Sequence, residues 1–104
     1  VVRIGQVMYL HKDAYAEYEK RHAELWPEMA KALKQYGATN YSIFLNKLNG
    51  QTLAYLEVPD KATYDQIADT EICKKWWAYM KPLMDTNEDN SPVTTDLTEV
   101  FHLD

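Results

Sequence analysis

Residues 2–10 alternate between two faces. Val2, Ile4, Met8 and Leu10 share one side and Val7 and Tyr9 the other, which predicts a strand over about 3–10. The period then changes. Asp13 offers an N-cap, and Tyr18, His22, Leu25, Met29, Leu33 and Tyr36 recur at steps of three or four, tracing one helix face up to a glycine stop at Gly37. Pro27 interrupts this run. Proline lacks a backbone donor and crowds the turn before it, so the pattern predicts two helical pieces, about 13–24 and 27–36. Alternation returns over Asn40–Leu45 and Thr52–Val58, on either side of the turn pair Asn49-Gly50. Pro59-Asp60 opens a second helical region, with a short helix at about 61–68 and a longer one at about 70–84 capped by Thr70. The polar stretch Asp85–Pro92 reads as a loop, and Leu97, Val100, Phe101 and Leu103 suggest a last strand over about 97–103.

The order strand, helix, strand, strand, helix, strand is a split βαβ unit. It predicts an α+β, ferredoxin-like fold with an antiparallel four-stranded sheet and helices on one face only. Residues 1–104 are expected to form a single domain. Yet Ile43 and Leu45 stand on one side of their strand and Phe44 on the other, so both faces need cover. In so short a chain the economical cover for the open side is a second copy of the same sheet. This predicts a homodimer, with a large ligand under that face as the alternative.

Composition narrows the partners. Lys and Arg number 11 against 16 Asp and Glu, a net charge of −5. Nucleic-acid and anionic-membrane surfaces require a basic footprint, so neither nucleic acid nor a membrane is expected as partner. No apolar run approaches the ~20 residues of a membrane span, and no charged-then-apolar leader opens the chain. Cys73, the sole cysteine, cannot form an internal disulfide, which suits a cytoplasmic location. Eight tyrosines against two phenylalanines is the unusual feature. A buried phenol needs a partner for its hydroxyl, so this balance points to a polar-lined pocket or a subunit interface.

Several chemistries are excluded by what is missing. Three glycines cannot supply a dinucleotide fingerprint, and there is no phosphate loop, serine nucleophile elbow or Cys-x-x-Cys. Cys73 reads as a buried, inert thiol rather than a nucleophile. His11 and His102 are expected at opposite edges of the sheet, so three histidines do not make a metal site, and neither metal nor cofactor is expected. His22 is different. It occupies the inward stripe of its helix one turn after Tyr18, where a core would ordinarily place Leu or Ile. A core histidine satisfied by a backbone carbonyl is one reading; a rigidly held proton-transfer group is the other. Trp76 and Trp77 are adjacent on a helix and so point about 100° apart. They read either as core or as a platform for a sugar, whose C–H faces pack on aromatic rings while its hydroxyls seek indole N–H and phenol O–H groups. Tyr18, Tyr41, Trp76, Trp77 and the Asn87–Ser91 loop contain that mixture.

Five segments together resemble the L-rhamnose mutarotase family: Tyr18-Glu-Lys-Arg-His22, Leu25-Trp-Pro-Glu28, Gly37-Ala-Thr-Asn-Tyr41, Lys75-Trp-Trp-Ala-Tyr-Met80 and Asp89-Asn-Ser-Pro-Val93. The resemblance spans essentially the whole chain, and departs from the family pattern at Glu88, where a proline is expected. It implies a dimeric α+β barrel enzyme that interconverts the α and β anomers of L-rhamnose without a cofactor. It also implies that His22 is the proton donor and that Tyr18, Tyr41, Trp76 and Trp77 bind the sugar. Mutarotation needs one group to protonate the ring oxygen and another to accept the proton of the anomeric hydroxyl. Tyr18, a water molecule or the second nitrogen of His22 could be that acceptor. Two other readings share the architecture: a cofactor-free monooxygenase or haem-handling barrel with His22 as haem ligand, and a non-catalytic sugar-binding protein.

Overall fold

The computed structural model describes residues 1–104. Strands β1 (Val2–Tyr9), β2 (Thr39–Asn46), β3 (Gln51–Val58) and β4 (Thr94–Leu97) form one antiparallel sheet in the spatial order β2-β3-β1-β4. Alternation separates its faces. Thr52, Ala54, Leu56 and Val58 of β3 and Ile4 and Met8 of β1 are buried, whereas Leu53 is 43% and Phe44 of β2 64% exposed. Full burial of an aliphatic side chain contributes about 1.5–3 kcal/mol, so the first face holds the chain together and the second, with Leu97 of β4 also exposed, stays open.

The helices lie on the buried side. Pro27 splits the first helical run into α1 (Tyr15–Ala23) and α2 (Pro27–Gln35), because the residue before it, Trp26, is forced into extended backbone at φ −57°, ψ 131°. Gly37 ends α2. Its φ of +96° is left-handed, and a Cβ there would lie 2.8 Å from Pro59, so only glycine fits. The bonds Ala38 N–H to Leu33 O and Gly37 N–H to Lys34 O complete the cap. After β3 come α3 (Lys61–Asp65), a 3₁₀ turn at Gln66–Asp69, α4 (Glu71–Met80) and a second 3₁₀ turn at Lys81–Leu83. Thr70 caps α4 as expected, its hydroxyl accepting from Cys73 N–H at 3.3 Å. No helix is long and apolar enough to cross a membrane.

Two sequence expectations need correction. Asp13 is not the cap of α1; Ala14 takes that place without a side-chain bond, because the preceding turn is closed by Ala14 N–H to His11 O instead. The last strand lies at Thr94–Leu97 rather than 97–103. Paired Thr94–Leu97 already fill the edge against Gly5–Met8. Beyond them Arg3 holds Glu99 through its guanidinium, at 2.5 and 3.1 Å, in place of a backbone ladder. Val100, Phe101 and Leu103 are left 91%, 78% and 78% exposed.

Candidate active site

Tyr18 and His22 stack one turn apart on α1, with ring centroids 4.3 Å apart. The imidazole is fixed by its own helix: Nδ1 lies 3.1 Å from the Tyr18 carbonyl oxygen. A carbonyl only accepts, so Nδ1 carries the proton and Nε2 keeps its lone pair. Burial pushes the His22 pKa below its ordinary value, and the bond to Tyr18 O offsets this only in part. His22 is therefore neutral at pH 7. Nδ1 is engaged, so of the two ring nitrogens only Nε2 is free to exchange a proton with a substrate.

Burial pushes the Tyr18 phenol the other way, far above its usual range, and the nearby Tyr41 phenol adds to the effect. Tyr18 thus remains a hydrogen-bond donor at any physiological pH. Thr52 Oγ1 is the one side-chain polar atom sealed without a partner. The Tyr18 residue is itself only 6% exposed.

Tyr41 alternates in phase with Ile43 and Leu45 on β2, and a β-bulge lies beside it. The pairing of β2 with β3 shifts register between Thr39 and Ser42, and Asn40 takes φ +50°. The residue stays 38% exposed, yet desolvation raises the pKa of its phenol and Cys73 acts on it electrostatically. Trp76 on α4 completes the group, its indole nearly perpendicular (89°) to the His22 ring with centroids 5.5 Å apart. Trp77 stands apart: it packs half-buried against the core and makes no ring contact with His22 or Trp76.

Three further side chains support the group and were not singled out from the sequence. Trp26 meets Trp76 edge-on at 5.1 Å and Tyr79 at 5.0 Å, and Tyr79 lies 5.7 Å from Trp76. Arg21 lies over the Tyr79 ring at 4.0 Å. The i, i+4 spacing of Glu17 and Arg21 was a visible sign of a fixed guanidinium. The Asn87–Ser91 loop uses its polar groups on itself: Asn87 Nδ2 bonds Ser91 Oγ at 3.0 Å, and Asp89 accepts from Ser91 N–H at 3.0 Å. His11 pairs with Asp85 and His102 with Asp104. Two hollows of about 360 and 380 Å³ also lie elsewhere, one over the open sheet face at Gly5 and Tyr55 and one at the Leu48-Asn49 hairpin tip. His22 is half-buried and lines neither of them.

Comparison with known proteins bears on this arrangement. The family model described as L-rhamnose mutarotase matches residues 3–103. An L-rhamnose mutarotase of Lactiplantibacillus plantarum is 84% identical over 104 residues, covering all of both chains. One from Bacillus subtilis is 53% identical over 102 residues, 98% of each chain. The crystal structure of an L-rhamnose mutarotase from Formosa agariphila superposes with a TM-score of 0.92 at 38% identity, covering both chains completely. An antibiotic biosynthesis monooxygenase (TM-score 0.62, 14% identity, 94% of this chain and 97% of that one) and a dimeric ferredoxin-like protein from an uncultured marine organism (0.59, 15%, 97% and 96%) share the fold alone. Matched along essentially its whole length in sequence and in backbone, the chain belongs to the L-rhamnose mutarotase family.

Proposed function

We propose that this chain, as one domain over residues 1–104, is an isomerase that interconverts the α and β anomers of L-rhamnose, with His22 as the proton-transfer group. The observation that carries the reading is an imidazole whose Nδ1–H is tied to the Tyr18 carbonyl at 3.1 Å while Nε2 is left basic beside an aromatic wall. O1 and O5 of the sugar are both bonded to C1, so one nitrogen can serve both in turn. Nε2 takes the proton of the anomeric hydroxyl as the C1=O1 bond forms. The C1–O5 bond breaks with its electron pair passing to O5, and the imidazolium donates the proton to O5. Rotation about C1–C2 and reclosure with the transfers reversed give the other anomer. Such acid–base assistance contributes about 10²–10⁴-fold.

Tyr18, Tyr41, Trp76 and Trp77 bind the sugar in this reading. Tyr18 and Tyr41 offer phenol donors, Trp76 backs the imidazole, and Trp77 presents a half-open indole for a C–H face. The open sheet face, with Phe44, Leu53 and Leu97 exposed, supports a homodimer in which a second sheet covers it. The buried free thiol of Cys73 accords with a cytoplasmic setting. Proton NMR saturation transfer between the two anomeric signals of L-rhamnose tests the activity. The purified protein should transfer saturation where buffer alone does not, and equal transfer in both would refute it.

A further inference from the structure

The backbones of α1 and α4 barely approach one another, so side chains span the gap between His22 on one helix and Trp76 on the other. We propose that Arg21 is a positioning residue, clamping α1 to the last turn of α4 and so holding Trp76 in register with His22. The inference rests on the mutarotase reading above.

Three contacts converge on one guanidinium. Nε donates to Glu17 Oε2 at 2.7 Å, Nη1 donates to the Tyr79 backbone carbonyl at 2.5 Å, and the plane lies 4.0 Å above the Tyr79 ring. The side chain is 18% exposed, well shielded for an arginine on a surface helix. Tyr79 is the penultimate residue of α4, where carbonyls lack a helical donor and a cation is favoured by the helix dipole. The Arg21 guanidinium beside Glu17 holds that carboxyl below its usual range, so the ion pair persists at neutral pH. From Tyr79 the contact passes ring by ring: to Trp76 directly and through Trp26, then from Trp76 to His22. A lysine could not replace this group, because an ammonium is a point charge without the planar fork or stacking surface.

The test compares Arg21→Lys, Arg21→Met, Tyr79→Leu and Tyr79→Phe by saturation transfer, with folding checked by circular dichroism at the assay temperature. Both Arg21 variants should lose about 10- to 100-fold in kcat, and Tyr79→Leu should reproduce the loss. Tyr79→Phe, which keeps the ring and the carbonyl, should recover most of what Tyr79→Leu loses. In the double variant the losses should overlap rather than multiply, since both break one clamp. His22 titrated by NMR should move back toward the ordinary imidazole value in Arg21→Lys as water enters. Should Arg21→Met fail to fold, Arg21→Lys and Tyr79→Leu decide. Rates in both within about twofold of wild type, or losses that multiply in the double variant, would overturn the proposal. A wild-type protein that exchanges no anomers would instead overturn the mutarotase reading.

Discussion

The rings of His22 and Trp76 stand nearly perpendicular, with centroids 5.5 Å apart, although the two residues lie more than fifty positions apart in sequence and on different helices. Trp76 packs against the imidazole, and burial of that ring lowers its pKa. Proton affinity and aromatic packing are thus one property of the site.

The two adjacent tryptophans should separate in their effects. Trp76 is buried among Trp26, Tyr79 and His22, so Trp76→Ala should cost about 3–5 kcal/mol of stability together with activity. Trp77 is half-buried and free of ring partners. Trp77→Ala should leave the melting temperature closer to wild type and raise KM for L-rhamnose by about tenfold, the equivalent of one stacking contact. Thermal melts and saturation kinetics of both variants check this; equal melting losses with an unchanged KM for Trp77→Ala would place that indole in the core alone.

The direction of the His22 shift fixes the sign of the pH response. The neutral imidazole begins the cycle, and its pKa lies below the ordinary value of about 6.5 through burial. Enzyme-catalysed exchange, corrected for the buffer reaction, should be level above that value and fall on the acid side as His22 is protonated. Stability should follow the same sense. The unfolded chain binds the proton first, so stability is lost as pH falls from the unfolded value through the folded one. A rate that rises into acid would contradict the assignment.

Much of this was legible in the sequence, and the reason is locality. The break at Pro27, the stop at Gly37, the Thr70 cap and the alternation of the first three strands depend on residues a few positions apart. The pairing of Tyr18 with His22 is equally local, one helical turn. What escaped depends on tertiary partners. The β2 bulge between Thr39 and Ser42 exists only against β3, and the Trp26–Trp76–Tyr79 contacts join α4 to the junction of α1 and α2. The edge strand was misplaced because the apolar spacing of Leu97, Val100, Phe101 and Leu103 outweighed the β-branched pair Thr94-Thr95, which is what pairs with β1.

Those exposed residues lead to a prediction about assembly. Phe44 and Leu53 face each other across β2 and β3 on the open side. Phe44→Asp with Leu53→Asp would place charge where a second sheet must pack. Sedimentation velocity should show a dimer for wild type and a monomer for the double variant. A wild-type monomer would contradict the homodimer.

One core position is improvable. Thr52 is 1% exposed and its hydroxyl has no partner, on the buried side between Met8 and Leu45. Thr52→Val removes the unsatisfied hydroxyl while keeping the shape, and should stabilise the protein by about 1–3 kcal/mol. Urea titration of both forms measures it, and a destabilised variant would mean that the hydroxyl is satisfied in solution.

The most direct measurement is saturation transfer between the L-rhamnose anomers with His22→Asn. Asparagine can still bond the Tyr18 carbonyl but cannot take up a proton at neutral pH. The account predicts exchange reduced by about 10²–10⁴-fold with the fold intact. Exchange at the wild-type rate would contradict it.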